Sequence, residues 1–272
     1  MKRKFINLAI ATLSLGITWA HNGAQIQNPT QQNERDTISM EGNLQQVHVI
    51  ATRATKSTPV AYANLSKSQI ERNSYGLDIP SLLALTPSMI ATNETGIGIG
   101  GTSIRLRGTD ATRLNVTVNG MSLNNPDSHS TYWYDTPDLI SAIGDVQVQR
   151  GAGTSTNGTG AFGGAVSMTT AAPSSEAGGE ASLSYGSYNT NKQAVRLSSG
   201  ILNNHWAIDA RMTHIGSDGY IERGATDLKS YMLQGAYYSD RTTIKLLSFG
   251  GKAKTGLTYT GVTKEEMELY GR

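Results

Sequence analysis

The stretch Asp145-Val-Gln-Val-Gln-Arg150 alternates apolar and polar side chains with a period of two, which predicts a β-strand. A glycine-rich run, 151–164, follows it and leads into a second strand-like stretch, 163–170, that ends before Pro173. Upstream, Val116 and Val118 belong to another strand, which Asn119-Gly120 closes as a hairpin turn. These segments predict a sheet within a block that runs from about 55 to 172.

Two short helices are predicted in the same block. Asp78 can cap the first, with Pro80 in its opening turn, and this helix continues to Leu85 before Pro87 stops it. Thr136-Pro137-Asp138 opens the second, which runs to Ile143. A further strand is predicted from 103 to 108, so the block has an α+β composition.

The pattern changes after a Ser/Gly-rich linker at 174–179. Strand-like runs then recur at hairpin spacing: 181–185, 194–198, 206–212, 231–238 and 242–248. In the third run, Trp206, Ile208 and Met212 share one face, whereas Asp209 and Arg211 share the other. One face suits lipid and the other a watery lumen, as in a transmembrane β-barrel. A soluble antiparallel sheet with one wet face would give the same alternation.

The N-terminal residues are typical of an exported protein. Lys2-Arg3-Lys4 precedes a mostly apolar run, 5–17, and Ala20 follows as a small residue, so 1–20 is predicted to be a cleaved signal peptide, with Ala24 as the alternative last residue removed. A membrane anchor is the alternative, but the run is shorter than the ~20 residues that span a bilayer. Residues 21–44 contain almost no large apolar residues and are predicted to be a disordered tether.

Composition excludes several classes of function. The chain has no Cys, so disulfides, thiolate metal sites and a Cys nucleophile are excluded. Its net charge is +2, with three basic residues in the signal, and no basic stripe indicates nucleic-acid binding. None of the five His forms an i,i+4 pair, and no catalytic triad or carboxylate pair can be placed, so no metal, cofactor or enzymatic activity is predicted. Gly96-Ile-Gly-Ile-Gly-Gly101 fits a dinucleotide pattern, but a strand follows it instead of a helix, so a flexible loop is expected.

Across nearly all of 79–170, the sequence resembles the plug domain of TonB-dependent outer-membrane receptors. The matching pieces occur in family order: Ile79-Pro-Ser-Leu-Leu-Ala-Leu-Thr-Pro87, Ile104-Arg-Leu-Arg-Gly108, Val116-Thr-Val-Asn-Gly120, the helix near Pro137, Val146-Gln-Val-Gln-Arg-Gly151, Gly158-Thr-Gly-Ala-Phe-Gly-Gly-Ala-Val166 and Met168-Thr-Thr170. The stretch 125–133 looks most like receptors from the Bacteroidetes.

The resemblance implies an α+β plug domain, 55–172, inside an antiparallel barrel of about 22 strands. Residues 180–272 would supply about five of these strands, so the chain is expected to be a fragment or a truncated product of a longer receptor.

The segment 45–53 is β-prone and could either add to a sheet edge or form the first strand of a domain. By resemblance, part of it is a TonB box that TonB captures by strand pairing: Gln46, Val47, His48, Val49, Ile50 and Ala51. His48 departs from the family pattern at this position.

Two further sets of residues take roles from the resemblance. Arg105, Arg107 and Arg150 match plug arginines that face acidic residues of the barrel wall. A polar-aromatic loop would lie at the plug apex and contact ligand through Asn124, Asn125, Asp127, His129, Tyr132, Trp133 and Tyr134. The alternative for this loop is a structural role against the barrel wall.

The resemblance therefore implies an outer-membrane receptor that binds a scarce extracellular ligand and imports it by energy-coupled plug remodelling. Iron-siderophore, haem and cobalamin are the expected ligand classes, and the expected partners are TonB, outer-membrane lipid and a small molecule. The alternative is a truncated, plug-like periplasmic binding module without transport activity.

Overall fold

The computed structural model describes residues 53–270 except 74–75, 154–160, 240–241, 257 and 259–260. The predicted signal peptide, the tether and the TonB-box-like residues Gln46 to Ala51 lie outside the described residues. All described residues belong to one unit of the chain, Gln46–Arg272.

The first half is a small α+β domain built on a mixed sheet. Its elements are β1 (Ala61–Ser66), α1 (Lys67–Asn73), α2 (Ile79–Leu83), β2 (Met89–Asn93), β3 (Thr102–Leu106), β4 (Leu114–Val118), β5 (Met121–Ser122), β6 (Ile143–Arg150) and β7 (Gly164–Thr170). The main sheet has the order β1-β6-β7-β4-β5, in which β4 and β7 are parallel, and β2 and β3 form a separate pair. Among the described residues, 3₁₀ turns lie at Ala111–Arg113, Trp133–Asp135 and Leu139–Ala142.

The centre of this domain is formed by β6 and β7. All seven residues of β7 are buried, so the strand is covered on both faces, as apolar central strands require. Val148 and Val166 are fully buried at 0% exposure and pair with each other across the two strands. The alternation of Asp145 to Arg150 therefore belongs to this buried strand pair.

The second half is an antiparallel meander of five strands, which we call the strand wall. Its members are β8 (Ala177–Tyr185), β9 (Asn191–Leu202), β10 (Trp206–Ser217), β11 (Thr226–Tyr238) and β12 (Thr243–Thr255), and α3 (Lys264–Tyr270) follows them. Four of the five strands have 12 or 13 residues, which exceeds the ~9–11 that a tilted strand needs to cross a bilayer.

The two faces of the wall differ as the sequence predicted. On β10, Ala207, Asp209 and Thr213 are buried on the face towards the α+β domain. Trp206 and Met212 point the other way and are 53% and 71% exposed. The described part of the chain contains no helix that is both long and apolar enough to cross a membrane.

The Asn119-Gly120 hairpin is confirmed, since both residues have positive φ angles of 51° and 83° between β4 and β5. The first predicted helix is shorter than expected and ends at Leu83. Asp78 precedes it without a side-chain cap, because its carboxylate instead accepts a hydrogen bond from the Gly100 amide at 3.0 Å.

Two boundaries were also predicted wrongly. The second helix is a 3₁₀ turn that ends at Ala142, because Ile143 already pairs with Thr170 as the first residue of β6. The linker at 174–179 is partly strand, because Ala177 pairs with Ser199 and starts β8. The strand wall therefore begins slightly before the predicted residue 180.

Candidate functional site

The strand wall has two unlike ends. At one end the strands are joined by the short turns 203–205 and 239–242, and at the other by the longer loops 186–190 and 218–225. We call these the short-turn end and the long-loop end.

A plug loop, 94–101, meets the wall at the long-loop end. The Thr95 carbonyl accepts hydrogen bonds from the amides of Tyr220 at 2.9 Å and Ile221 at 3.3 Å. Gly96 has a φ of +75°, and a Cβ there would lie 2.9 Å from the Tyr220 ring. The Asn93 side chain also accepts from two amides within this loop. The loop is thus held in place, which the glycine-rich sequence did not predict.

Two tyrosines of the polar-aromatic loop lie near this contact. Tyr132 and Tyr134 are each 38% exposed, and their ring centroids are 5.6 Å apart. Burial raises the pKa of Tyr134, and the charges of Asp135 and Glu94 raise it further. Glu94 belongs to loop 94–101, so the charge of that loop reaches Tyr134 of the polar-aromatic loop, which exposes the two rings.

Two asparagines predicted to touch ligand organise this loop instead. Asn124 Nδ2 donates to the carbonyls of Leu114 and His129, both at 2.8 Å, and its Oδ1 accepts from the Val116 amide. Asn125 Oδ1 accepts from the Asp127 amide at 2.9 Å. The Asn124 amide group and the Asn125 side-chain oxygen are therefore engaged with backbone groups.

Trp133 is also structural, because it is 3% exposed and packs in the core of the α+β domain. Asp127, His129, Tyr132 and Tyr134 are exposed. These four side chains are the members of the predicted set that remain available to a ligand.

An ion pair joins the plug to the strand wall. Lys192 Nζ on β9 lies 2.6 Å from Asp138 Oδ1 and 3.0 Å from Ser141 Oγ. The side chains are 14% and 2% exposed, so the pair is shielded from water. The second oxygen, Asp138 Oδ2, is buried and has no hydrogen-bond partner within the described residues. In the predicted contacts the α+β domain supplies arginines and the wall supplies acidic residues. In this pair the α+β domain supplies the carboxylate and the wall supplies the ammonium group.

A second carboxyl group lies next to this pair. Asp78 and Asp138 line one small cavity together with Trp133. Burial raises the pKa of Asp78 to about 7, and the charge of Asp138 adds to this while hydrogen bonds and Lys192 oppose it. One ammonium group thus serves two buried carboxyls, which favours a proton on Asp78.

A third contact ties the start of the described chain to the central strands. Arg53 Nη1 lies 2.7 Å from Asp145 Oδ2, and Nη2 bonds the other carboxylate oxygen. Nη2 also donates to the Ser167 carbonyl at 3.1 Å and to Thr169 Oγ1 at 2.9 Å. The Gln147 side chain pairs with both backbone groups of Ala54, at 2.7 and 3.0 Å. We call Arg53 and Asp145 the entry anchor.

The predicted plug arginines have no such partner among the residues described. Arg105 and Arg107 are exposed, Arg150 is half-buried, and none of them forms an ion pair in that part of the chain. Their role against the barrel wall stays a prediction. Within the same residues, no group of three or more His, Asp or Glu side chains could hold a metal ion.

Comparison with known proteins identifies the first half of the chain. The family model for the TonB-dependent Receptor Plug Domain matches residues 54–165. The ferrioxamine B receptor of Salmonella typhimurium is 26% identical over 274 residues, in strains SL1344 and LT2 alike. The alignment covers 96% of this chain and 38% of that receptor, so the chain spans less than two fifths of the length of these curated relatives.

Solved structures share the fold of both halves. The siderophore receptor PirA of Acinetobacter baumannii superposes with a TM-score of 0.56 at 18% identity, over 72% of this chain and 32% of PirA. The ferric citrate transporter FecA, in its unliganded form, superposes with a TM-score of 0.58 at 18% identity, over 81% of this chain and 34% of FecA. The fold is therefore that of a receptor plug followed by antiparallel wall strands.

Lys192→Met is expected to loosen the plug from the wall, because it leaves the buried Asp138 carboxylate without a counter-ion, at a cost of about 3–5 kcal/mol. Denaturant unfolding of the purified protein measures the loss. The double variant Lys192→Met/Asp138→Asn should recover part of it. Lys67→Met breaks an exposed pair on α1 and should cost less than about 1 kcal/mol. Equal losses in the two single variants would contradict a role for the buried pair.

Asp78 is expected to make stability depend on pH. Its folded pKa is raised to about 7 from 3.8, so the folded state holds a proton that the unfolded state releases. The contribution of Asp78 is then most favourable below about pH 4 and is lost as the pH rises to about 7. Asp78→Asn should remove this slope, as the difference in unfolding free energy between the two proteins from about pH 4 to pH 8 would show. An unchanged slope, as expected for the exposed Asp127→Asn control, would refute the assignment.

Proposed function

We propose that this chain, whose residues 54–165 match the TonB-dependent Receptor Plug Domain, is a TonB-dependent receptor that acts at the outer membrane on an iron-siderophore ligand. The observation that carries the proposal is the buried Asp138–Lys192 pair, which seats the plug on the inner face of a wall whose outer face is exposed and apolar. A plug held inside a membrane-facing wall is the arrangement that a gated importer needs.

The unlike ends of the wall orient the receptor in the membrane. Barrels of the outer membrane have short periplasmic turns and longer extracellular loops. The long-loop end, where loop 94–101 contacts the wall and the charge of Glu94 reaches Tyr134, then faces outwards. The ligand would meet the exposed rings of the polar-aromatic loop together with Asp127 and His129.

An iron-siderophore is favoured over the other ligand classes by the relatives. The matched curated receptor is named for ferrioxamine B, and PirA is described as a siderophore receptor. Haem and cobalamin have no comparable support among these relatives. The exposed tyrosine rings of the plug apex offer flat apolar contact with polar edges, which suits a small polar chelate.

Energy coupling would enter through the entry anchor. The segment Gln46 to Ala51 ends two residues before Arg53 in the sequence. Capture of that segment by TonB through strand pairing would pull first on Arg53 and so on Asp145 of β6. Because β6 is an interior strand of the plug sheet, between β1 and β7, separating this anchor would remodel the plug from within its sheet.

The soluble periplasmic binding module remains the alternative function. It would leave large apolar residues of the wall, such as Met212, Leu233 and Leu246, in water at 71%, 48% and 72% exposure. Patches of this kind mark a membrane or a partner surface, and they favour the membrane receptor.

Deletion of residues 46–51 is expected to abolish uptake of radiolabelled ferric siderophore by iron-starved cells while surface binding persists. The reason is that ligand binding uses the long-loop end, whereas the pull of TonB enters through residues 46–51. Deletion of residues 30–35 in the tether is the matched control and should preserve both. Full uptake after the first deletion would contradict energy coupling, and absence of binding to every ferric siderophore tested would contradict the ligand class.

Arg53→Ala is expected to make the receptor bind the periplasmic domain of TonB without ligand. Loss of the charged hydrogen bonds to Asp145 removes about 2 kcal/mol of local stability, which frees the preceding segment. Co-purification with TonB in the absence of ligand measures this change. Arg72→Ala, which alters an exposed arginine of α1, is the control. Equal TonB recovery from both variants would show that the anchor does not hold the segment.

A further inference from the structure

The outer face of the strand wall carries a continuous apolar band. Its exposed side chains come from all five strands: Leu183, Val195, Leu197, Trp206, Ile208, Met212, Tyr231, Leu233, Ile244 and Leu246. Trp206 packs against Tyr237 at the short-turn end, with ring centroids 4.8 Å apart and ring planes tilted by 52°. Interfacial aromatic rings of this kind mark one border of a membrane-facing surface.

The other border of the band carries three lysines. Lys229 lies on β11, two residues from Tyr231 of the band and on the same face. It is directly opposite Lys252 of β12, and Lys254 is opposite Asp227. All three lysines are exposed, and in the part of the chain described here none forms an ion pair. Asp227 Oδ1 bonds His214 Nε2 at 2.7 Å. The border therefore has an excess of positive charge.

A shallow groove joins the band to these lysines. It encloses ≈ 560 Å³, with Val195, Met212 and Tyr231 on its apolar side and His214, Lys229 and Lys252 on its polar side. Tyr231 helps to shape it, because its ring lies over Gly250, where a Cβ would be 3.3 Å from the ring. The groove thus offers an apolar surface and two ammonium groups within one depression.

Two lysines placed directly across a strand pair repel each other and destabilise the sheet. An anion between them removes that repulsion, and the adjoining apolar side chains fit a hydrocarbon chain. We propose that this groove binds a membrane lipid with an anionic phosphate headgroup, with the phosphate between Lys229 and Lys252 and an acyl chain along Val195, Met212 and Tyr231. This inference rests on the proposed membrane function, since it places the lysines at the outer headgroup level.

Native mass spectrometry of the intact receptor, released from a mild detergent, tests the site. Phosphatidylglycerol and phosphatidylcholine with identical acyl chains are titrated separately, and retained lipid adducts are counted. The wild type is expected to hold phosphatidylglycerol more tightly. Lys229→Gln/Lys252→Gln should weaken phosphatidylglycerol binding about tenfold and leave phosphatidylcholine unchanged, because each lysine near a lipid surface contributes a several-fold effect.

The matched control is Lys67→Gln/Lys264→Gln, which removes the same charge from exposed helices and should bind both lipids like the wild type. Equal retention of the two lipids by the wild type would overturn the proposal. An equal loss of phosphatidylglycerol binding in both double variants would overturn it as well. Preference for an acidic protein over the lipid at the same lysines would overturn it as well. This assay contains neither siderophore nor TonB, so a negative result leaves the proposed uptake function standing. A receptor that does not enter membranes at all would refute the proposed function.

Discussion

The buried pair between Asp138 and Lys192 is the contact on which the rest of the structure depends. A carboxylate that is 2% exposed needs a counter-ion, because an isolated buried charge costs several kcal/mol. The plug satisfies Asp138 only when β9 of the wall brings Lys192 to it. Asp78 shares the same ammonium group and is accommodated because burial favours its neutral form. The plug and the wall are thereby matched in charge as well as in shape.

The same short segment carries both anchors of the plug. Asp138 begins the 3₁₀ turn that leads into β6, and Asp145 lies near the start of that strand. A force on Arg53 therefore acts through Asp145 on the segment 138–145, which is fixed to the wall at its other end by Lys192. This connection gives a physical route from the entry anchor to the seat of the plug in the wall. Loop 94–101 contacts the wall separately, through Thr95 and Tyr220.

Local patterns predicted the elements but not the contacts between them. Asn119-Gly120 specified its hairpin by backbone conformation, and the alternation of Trp206 to Met212 specified which face is exposed. The ends of the wall strands extend further than predicted, because Ser217 and Thr226 pair and are buried although they are polar. Strand β1 was missed because Ala61–Ser66 is mostly small and polar, and its place in the sheet comes from pairing with β6.

For the site residues too, the sequence predicted local segments but not the contacts that their side chains make. Asn124 and Trp133 belong to the predicted polar-aromatic loop, but whether a side chain faces ligand or backbone depends on packing that composition does not reveal. Arg53 and Asp145, like Asp138 and Lys192, are distant in sequence and occur in unremarkable local contexts. The most direct test of the central claim, a plug seated inside a membrane-embedded wall, is semi-native electrophoresis of isolated outer membranes, probed with antibody against residues 79–170. We predict a band in that fraction whose mobility changes on heating, as folded barrels show, whereas a heat-insensitive band confined to the soluble periplasm would contradict the account.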